Sequence, residues 1–241
     1  MNTPQDPRNG TSPFARMVRQ GLWALPVWAA LLFYGTLTHQ PPPQTQLAAW
    51  SRYVTTPEFL ASHLIASILG AAIGIIGMVA LAVFLADHRR PRAAVWGLVT
   101  GVLGTTFVTA VFGIAAFAQP AIGRDYLAGH TTAARAMYYA AAQGTWLAVT
   151  AFTGAALVAA SLVIFGVAVA RTRPLPRIAG IGLAVSGPLF AIIGAALDNF
   201  IESIACALLI VSTAWIATAA RRTDSAAEAT SSPAPTPAAA Q

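Results

Sequence analysis

The sequence contains no lysine, a single cysteine and only eight acidic residues in 241. Each scarcity excludes something. One cysteine, Cys206, rules out an intrachain disulfide and any multi-cysteine metal site. Its neighbours from Ile204 to Leu209 are apolar, which predicts a buried, inert thiol. Charged residues make up 9% of the chain, against about 25% in an ordinary globular protein. So few charges cannot cover the surface of a water-soluble domain of this size, and 56% of the residues are apolar. The absence of lysine beside abundant alanine matches the codon bias of a GC-rich bacterial genome and marks no site.

Chemistry is also scarce. No HExxH, no His pair at i, i+4, no Cys-His cluster, no phosphate-cradling glycine loop and no Ser-His-Asp or Cys-His arrangement can be read. That points away from an enzyme and implies no cofactor. No apolar run carries an Asp, Glu, Arg or Lys at its midpoint, where proton-coupled pumps and many transporters place one.

What is present is a pattern. Eleven of the fourteen arginines fall in four clusters, Arg8/Arg16/Arg19, Arg89/Arg90/Arg92, Arg171/Arg173/Arg177 and Arg221/Arg222. Long apolar runs separate them, and only Arg52, Arg124 and Arg135 lie in the alternate loops. Positive residues resist translocation, so the clusters mark cytoplasmic loops. The expected fold is all-α: a polytopic bundle of six transmembrane helices, N-in and C-in, in the inner membrane of a bacterial cell. The arginines then anchor loops against anionic headgroups, and no nucleic acid is expected as a partner.

Residues 1–15 read as a disordered cytoplasmic leader, 16–222 as the transmembrane domain and 223–241 as a disordered tail. The expected spans are about 21–38, 59–86, 93–118, 143–170, 178–197 and 200–219, each long enough to cross a core of about 30 Å. Arg16 and Arg19 before span one resemble a signal-peptide n-region, but no A-x-A site follows, so the span is expected to stay. The stretches 39–57 and 119–132 read as outer loops. Trp50 and Tyr53 are expected at headgroup level in the first. From Thr132 to Ala170 nothing interrupts the helical pattern, with membrane entry expected near Gln143 to Trp146. Gly187-Pro188 predicts a kink in span five.

Two features nominate residues. Gly70, Gly74 and Gly77 in span two are spaced four then three, as are Gly97, Gly101 and Gly104 in span three. Such spacings share a helix face and permit close backbone approach, so spans two and three are expected to cross tightly on these glycines. The second feature is a gathering of polar residues at the outer side. Among them His63, Glu58, Asp198 and Glu202 have side chains suited to a divalent metal. Against a metal, Asn199-Phe-Ile-Glu202 and Thr55-Thr-Pro-Glu58 read as helix caps. His39 and His130 sit in loops without helical spacing to a partner. Deep hydroxyls and amides such as Ser67, Thr105, Thr106, Thr109, Gln143, Thr145 and Ser186 are expected to bond back to their own helices or to a neighbour.

The segment Arg171-Thr-Arg-Pro-Leu-Pro-Arg177 and the glycine-rich run to Gly187 resemble the basic turn and following helix of a broad group of uncharacterised bacterial six-helix integral membrane proteins. The resemblance covers the C-terminal third and implies the architecture alone.

The functional expectation is a non-catalytic membrane protein, structural, regulatory or sensing, whose partners are the lipid bilayer and another membrane protein or a second copy. The alternatives are a transporter or permease component for a small neutral or lipophilic substrate, and an outward-facing metal or cofactor site around His63.

Overall fold

The computed structural model describes residues 12–43, 45–194 and 199–231, and every regular element among them is helical. We label these α1 (Pro13–Gly21), α2 (Ala24–Thr38), α3 (Leu47–Val54), α4 (Pro57–Asp87), α5 (Pro91–Leu127), α6 (Thr131–Met137), α7 (Thr145–Ala170), α8 (Arg177–Gly194) and α9 (Asn199–Ser231). Six stretches are long and apolar enough to cross a membrane: α1 with α2, then α4, α5, α6 with α7, α8 and α9. This is compatible with a multi-pass membrane protein.

The six stretches pack in chain order as a closed ring, each against its sequence neighbours and the last against the first. Antiparallel alternation puts the arginine clusters at one end of the ring. There the Arg90 guanidinium donates to the carbonyl of Arg171 at 2.7 Å, and Arg221 lies 5.9 Å over the Trp23 ring. The opposite end carries His39, His63 and Glu202. Outward faces bear exposed apolar side chains such as Val27, Ile76, Val99, Phe152, Val185 and Val211, a surface suited to lipid.

The glycine stripes lie at helix contacts, but not against each other. Gly70, Gly74 and Gly77 face α2: a Cβ on Gly74 would stand 2.8 Å from the Trp28 ring, and one on Gly77 2.7 Å from Leu25. Gly97 and Gly104 face α7, through Phe165 and Val158. Gly101 alone touches both neighbours, at Met78 of α4 and Ser161 of α7. The expected α4–α5 glycine crossing is therefore corrected. Ring closure gives each helix two neighbours, and each stripe packs mainly on the neighbour that α4 and α5 do not share. The closest backbone approach lies elsewhere, between α7 and α8, where Gly166 and Gly180 abut each other's helix backbones.

Boundaries differ from expectation in five places. The loop 39–57 contains α3, an amphipathic helix whose Trp50 is 5% exposed and meets Tyr138 edge-on at 4.6 Å. Trp50 thus fills a second apolar core with Val54, Phe59, Ile122 and Tyr138. α5 runs on to Leu127, and the chain reverses at Gly129 with φ +99°, a region glycine enters without strain. The pattern after Thr132 is broken at Gln143-Gly144, with α7 beginning at Thr145, so the expected entry point coincides with a helix start. At the N-terminus the helix begins at Pro13, inside the expected leader, capped by Ser12, whose hydroxyl accepts from the Ala15 N–H at 3.2 Å. At the other end α9 continues to Ser231, into the expected tail, over an alanine-rich stretch that favours helix.

Among the described residues, four segments are wound as π-helix: Ser62–Leu69, Ile114–Ala118, Tyr138–Ala142 and Leu189–Gly194. All lie in the half of the ring that carries His39 and His63. Pro120 follows one and Pro188 precedes another. At Gly187-Pro188, where a kink was expected, the winding changes from α over Arg177–Pro188 to π over Leu189–Gly194.

Candidate ligand cavity at the histidine end

The arginine half of the ring is filled. Leu25, Met78, Leu81, Leu162, Phe165 and Leu183 are almost wholly buried there. The histidine half is not. A cavity of about 240 Å³ lies between the spans and takes wall residues from all six of them. Trp28, Thr105 and Val158 form its deep end, and His39, His63 and Glu202 its mouth. Apolar side chains, among them Leu32, Val108, Phe112, Ala155 and Phe190, make up most of the wall.

His63 sits on the π segment of α4, 6% exposed, with Nδ1 2.8 Å from the Phe59 carbonyl. A carbonyl only accepts, so Nδ1 carries the proton and neutral His63 presents Nε2 as an acceptor. Phe59 also packs on the ring at 4.2 Å. The cap of α4 is Thr56, whose hydroxyl accepts from the Phe59 N–H at 3.2 Å. This small device fixes the carbonyl that orients His63.

His39 is where sequence reasoning fell short. It stands at the end of α2 with its ring centroid 5.1 Å from His63, edge-on, and its Nδ1 3.0 Å from the Tyr53 hydroxyl. Burial, and then the neighbouring His63, lower its pKa from 6.5 to about 4. Burial likewise raises the Tyr53 pKa, against a smaller opposing pull from the Gln40 backbone. Both groups are therefore neutral near pH 7. Packing of α2 against the π segment of α4 sets residues 39 and 63 side by side; the long intervening stretch hid that contact.

Glu202 lines the cavity from the first turn of α9 and abuts Gly194 at the end of α8. Behind it the Thr36 hydroxyl lies 2.9 Å from Ser203 Oγ and also reaches the Cys206 thiol, which is fully buried. Glu58 is exposed on the first turn of α4 and does not line the cavity. Asp198 lies outside the described residues, as does the side chain of Asn199 on which its capping box depends. Among the described residues no three His, Cys, Asp or Glu side chains gather closely enough to hold a metal ion. His130, exposed, pairs with Asp125 at 2.6 Å at the α5–α6 turn, far along the chain from the cavity wall.

Thr105 is the other residue whose role was not legible. Thr100, Thr106, Thr109 and Thr150 each bond back to the carbonyl four residues earlier, at 2.7–2.8 Å. Thr105, 4% exposed, makes no such bond; its hydroxyl is buried without a partner and the residue lines the deep end of the cavity.

These features define a class: a closed ring of six apolar helices around a cavity with one polar mouth. Comparison with protein-family models, with curated proteins and with solved structures found no match to this chain.

Proposed function

We propose that this chain is a non-catalytic protein of the bacterial inner membrane, with both termini cytoplasmic, that receives a small neutral or lipophilic ligand from the outer side as a sensing subunit. One observation carries the reading. A purely structural bundle predicts a dry, glycine-packed interior, whereas half of this ring encloses a cavity of about 240 Å³ with mostly apolar walls. Neutral His39 beside Glu202 at the mouth favours an uncharged ligand over an anion. Bundle glycines and the filled arginine half support a receptor closed on that side. A permease component is the second reading, favoured by the π-wound wall after Pro188, where Phe190 and Ala191 line the cavity on a segment able to rewind.

The test is occupancy. The full chain in lipid nanodiscs should bind a neutral, environment-sensitive naphthalene dye saturably. Ala155→Phe, which projects a ring into the cavity, should weaken that binding at least about tenfold. Non-saturable uptake, equal in both proteins, would remove the ligand-binding reading.

Orientation has its own check. In a Cys206→Ala background, Ala128→Cys should react with a membrane-impermeant maleimide added to intact cells, and Asp87→Cys only after lysis. The opposite pattern would invert the topology inferred from the arginines.

A further inference from the structure

From the π-wound stretch of α4 we infer that the ligand is an uncharged lipophile with a single head that both donates and accepts hydrogen bonds, as an alcohol does. The head lies on a strip formed by Ser62, His63 and Ser67, and the apolar body points towards Trp28. This rests on the ligand-binding reading above and specifies its chemistry.

The winding makes the strip. Ser62–Leu69 is π-helix, whose backbone bonds close five residues apart. Residues four and five apart then stack on one face, so Ser62 and His63 both stand over Ser67. At α-helical spacing His63 and Ser67 would still share a face, but Ser62 would be turned about 140° from Ser67. Here all three line the cavity, followed by Ala71. π winding is rare and recurs at functional sites.

The strip is unsatisfied from within. Hydroxyls in apolar helices ordinarily bond to their own backbone or to a neighbouring helix. Ser161, Ser186 and Ser203 do so, with the Gly97 carbonyl, the Leu183 carbonyl and the Thr36 hydroxyl. Among the described residues the Ser62 and Ser67 hydroxyls have no partner, yet unlike the Thr105 hydroxyl they are not sealed from the cavity. His63 commits Nδ1 to the Phe59 carbonyl and leaves Nε2 as an acceptor on the same wall. Other polar groups of the wall are already engaged: Thr36 with Ser203 and the Phe33 carbonyl, and His39 with Tyr53. Unmade hydrogen bonds in an apolar interior are costly, so a head that supplies them on this strip is favoured.

The donor inventory decides the head. Nε2 of neutral His63 only accepts, so the head must donate to it, while the serine hydroxyls can donate to the head in return. A ketone only accepts and leaves Nε2 bare. Glu202 on the cavity wall disfavours a carboxylate. Deeper in, Trp28, Leu32, Val108, Ala155 and Val158 suit a hydrocarbon body.

Displacement of the naphthalene dye from the full chain in lipid nanodiscs tests this, with 2-octanol, 2-octanone and octane as competitors. Each is corrected for partition into empty nanodiscs. Wild type should bind the alcohol roughly fivefold more tightly than the ketone, and the ketone more tightly than octane. His63→Phe should erase the preference for alcohol over ketone. Ser62→Ala combined with Ser67→Ala breaks no hydrogen bond among the described residues, so it should fold and bind the dye as wild type does. That variant should bring the ketone down to octane and weaken the alcohol. Equal displacement by all three probes in wild type, or a serine variant that ranks them as wild type does, would overturn the head strip and leave it to water. Absence of saturable dye binding would overturn the ligand-binding reading itself.

Discussion

Replacing Gly166 with leucine should prevent the ring from closing, with a loss of more than about 3 kcal/mol in stability and little folded protein recovered in detergent. The reason is what the glycine meets. A Cβ at Gly166 runs into the Ala184 nitrogen and the Gly180 carbonyl, and a Cβ at Gly180 runs into the Ala170 nitrogen and the Gly166 carbonyl. Both obstacles are helix backbone, held by their own hydrogen-bond ladders, so neither side can move by changing a rotamer. The only relief is separation of α7 from α8, which opens the wall that carries Val158 and Phe190. In lipid this contact has no hydrophobic effect to fall back on; it depends on van der Waals approach. Gly113 is the internal control, since nothing stands within 4 Å of a Cβ there. Gly113→Ala should leave stability unchanged or raise it by about 0.5–1 kcal/mol through helix propensity. Unfolding in a detergent or urea titration reads both variants. Equal behaviour of the two would show that the α7–α8 approach is not as tight as the structure has it.

Acid should weaken the histidine end. The folded-state pKa of His39 is about 4 against 6.5 in an unconstrained chain, lowered by burial and then by His63. Between those values the unfolded chain holds the extra proton and the folded chain does not. Stability is therefore complete above about pH 6.5 and falls as the pH is lowered towards 4. The whole shift is equivalent to on the order of 3 kcal/mol. The groups facing His39 are the neutral His63 and the Tyr53 hydroxyl, with Glu202 on the same cavity wall. Thermal unfolding in nanodiscs should show a midpoint that drops between pH 6.5 and 4.5 in the wild type. His39→Gln removes the titrating group and should flatten that part of the profile. An unchanged acid limb in His39→Gln would assign the dependence to another group.

How far these features could be read in advance differs by residue. The six long apolar helices were legible because a run of about twenty apolar residues is a local property. The cap of α4 within Thr55–Glu58 was legible for the same reason: it depends on residues within one turn. α3 and the extension of α5 to Leu127 were not. Both are held by contact with each other, Gly123 of α5 lying under Val54 and Ser51 of α3, and no local window contains that contact. The metal alternative drew on residue types alone. Glu58 is turned outward and His63 is paired with a histidine rather than a carboxylate, a matter of which helix face each occupies after packing.

The sequence by itself determined the number of apolar helices, their approximate ends and the segregation of arginine to alternate loops, since all three follow from composition along the chain. It also marked glycine as the packing residue, because small residues at four-residue spacing share a face whatever they pack against. Only the tertiary structure decided the partners. Closing the ring set Gly74 on Trp28 and Gly101 between Met78 and Ser161, and it made Gly166 and Gly180 the closest contact. It also brought His39 to His63 and left Thr105 facing a cavity. Those outcomes depend on which two neighbours each helix has and on its rotation between them. Such long-range geometry is fixed by all six helices together and by no single stretch of chain.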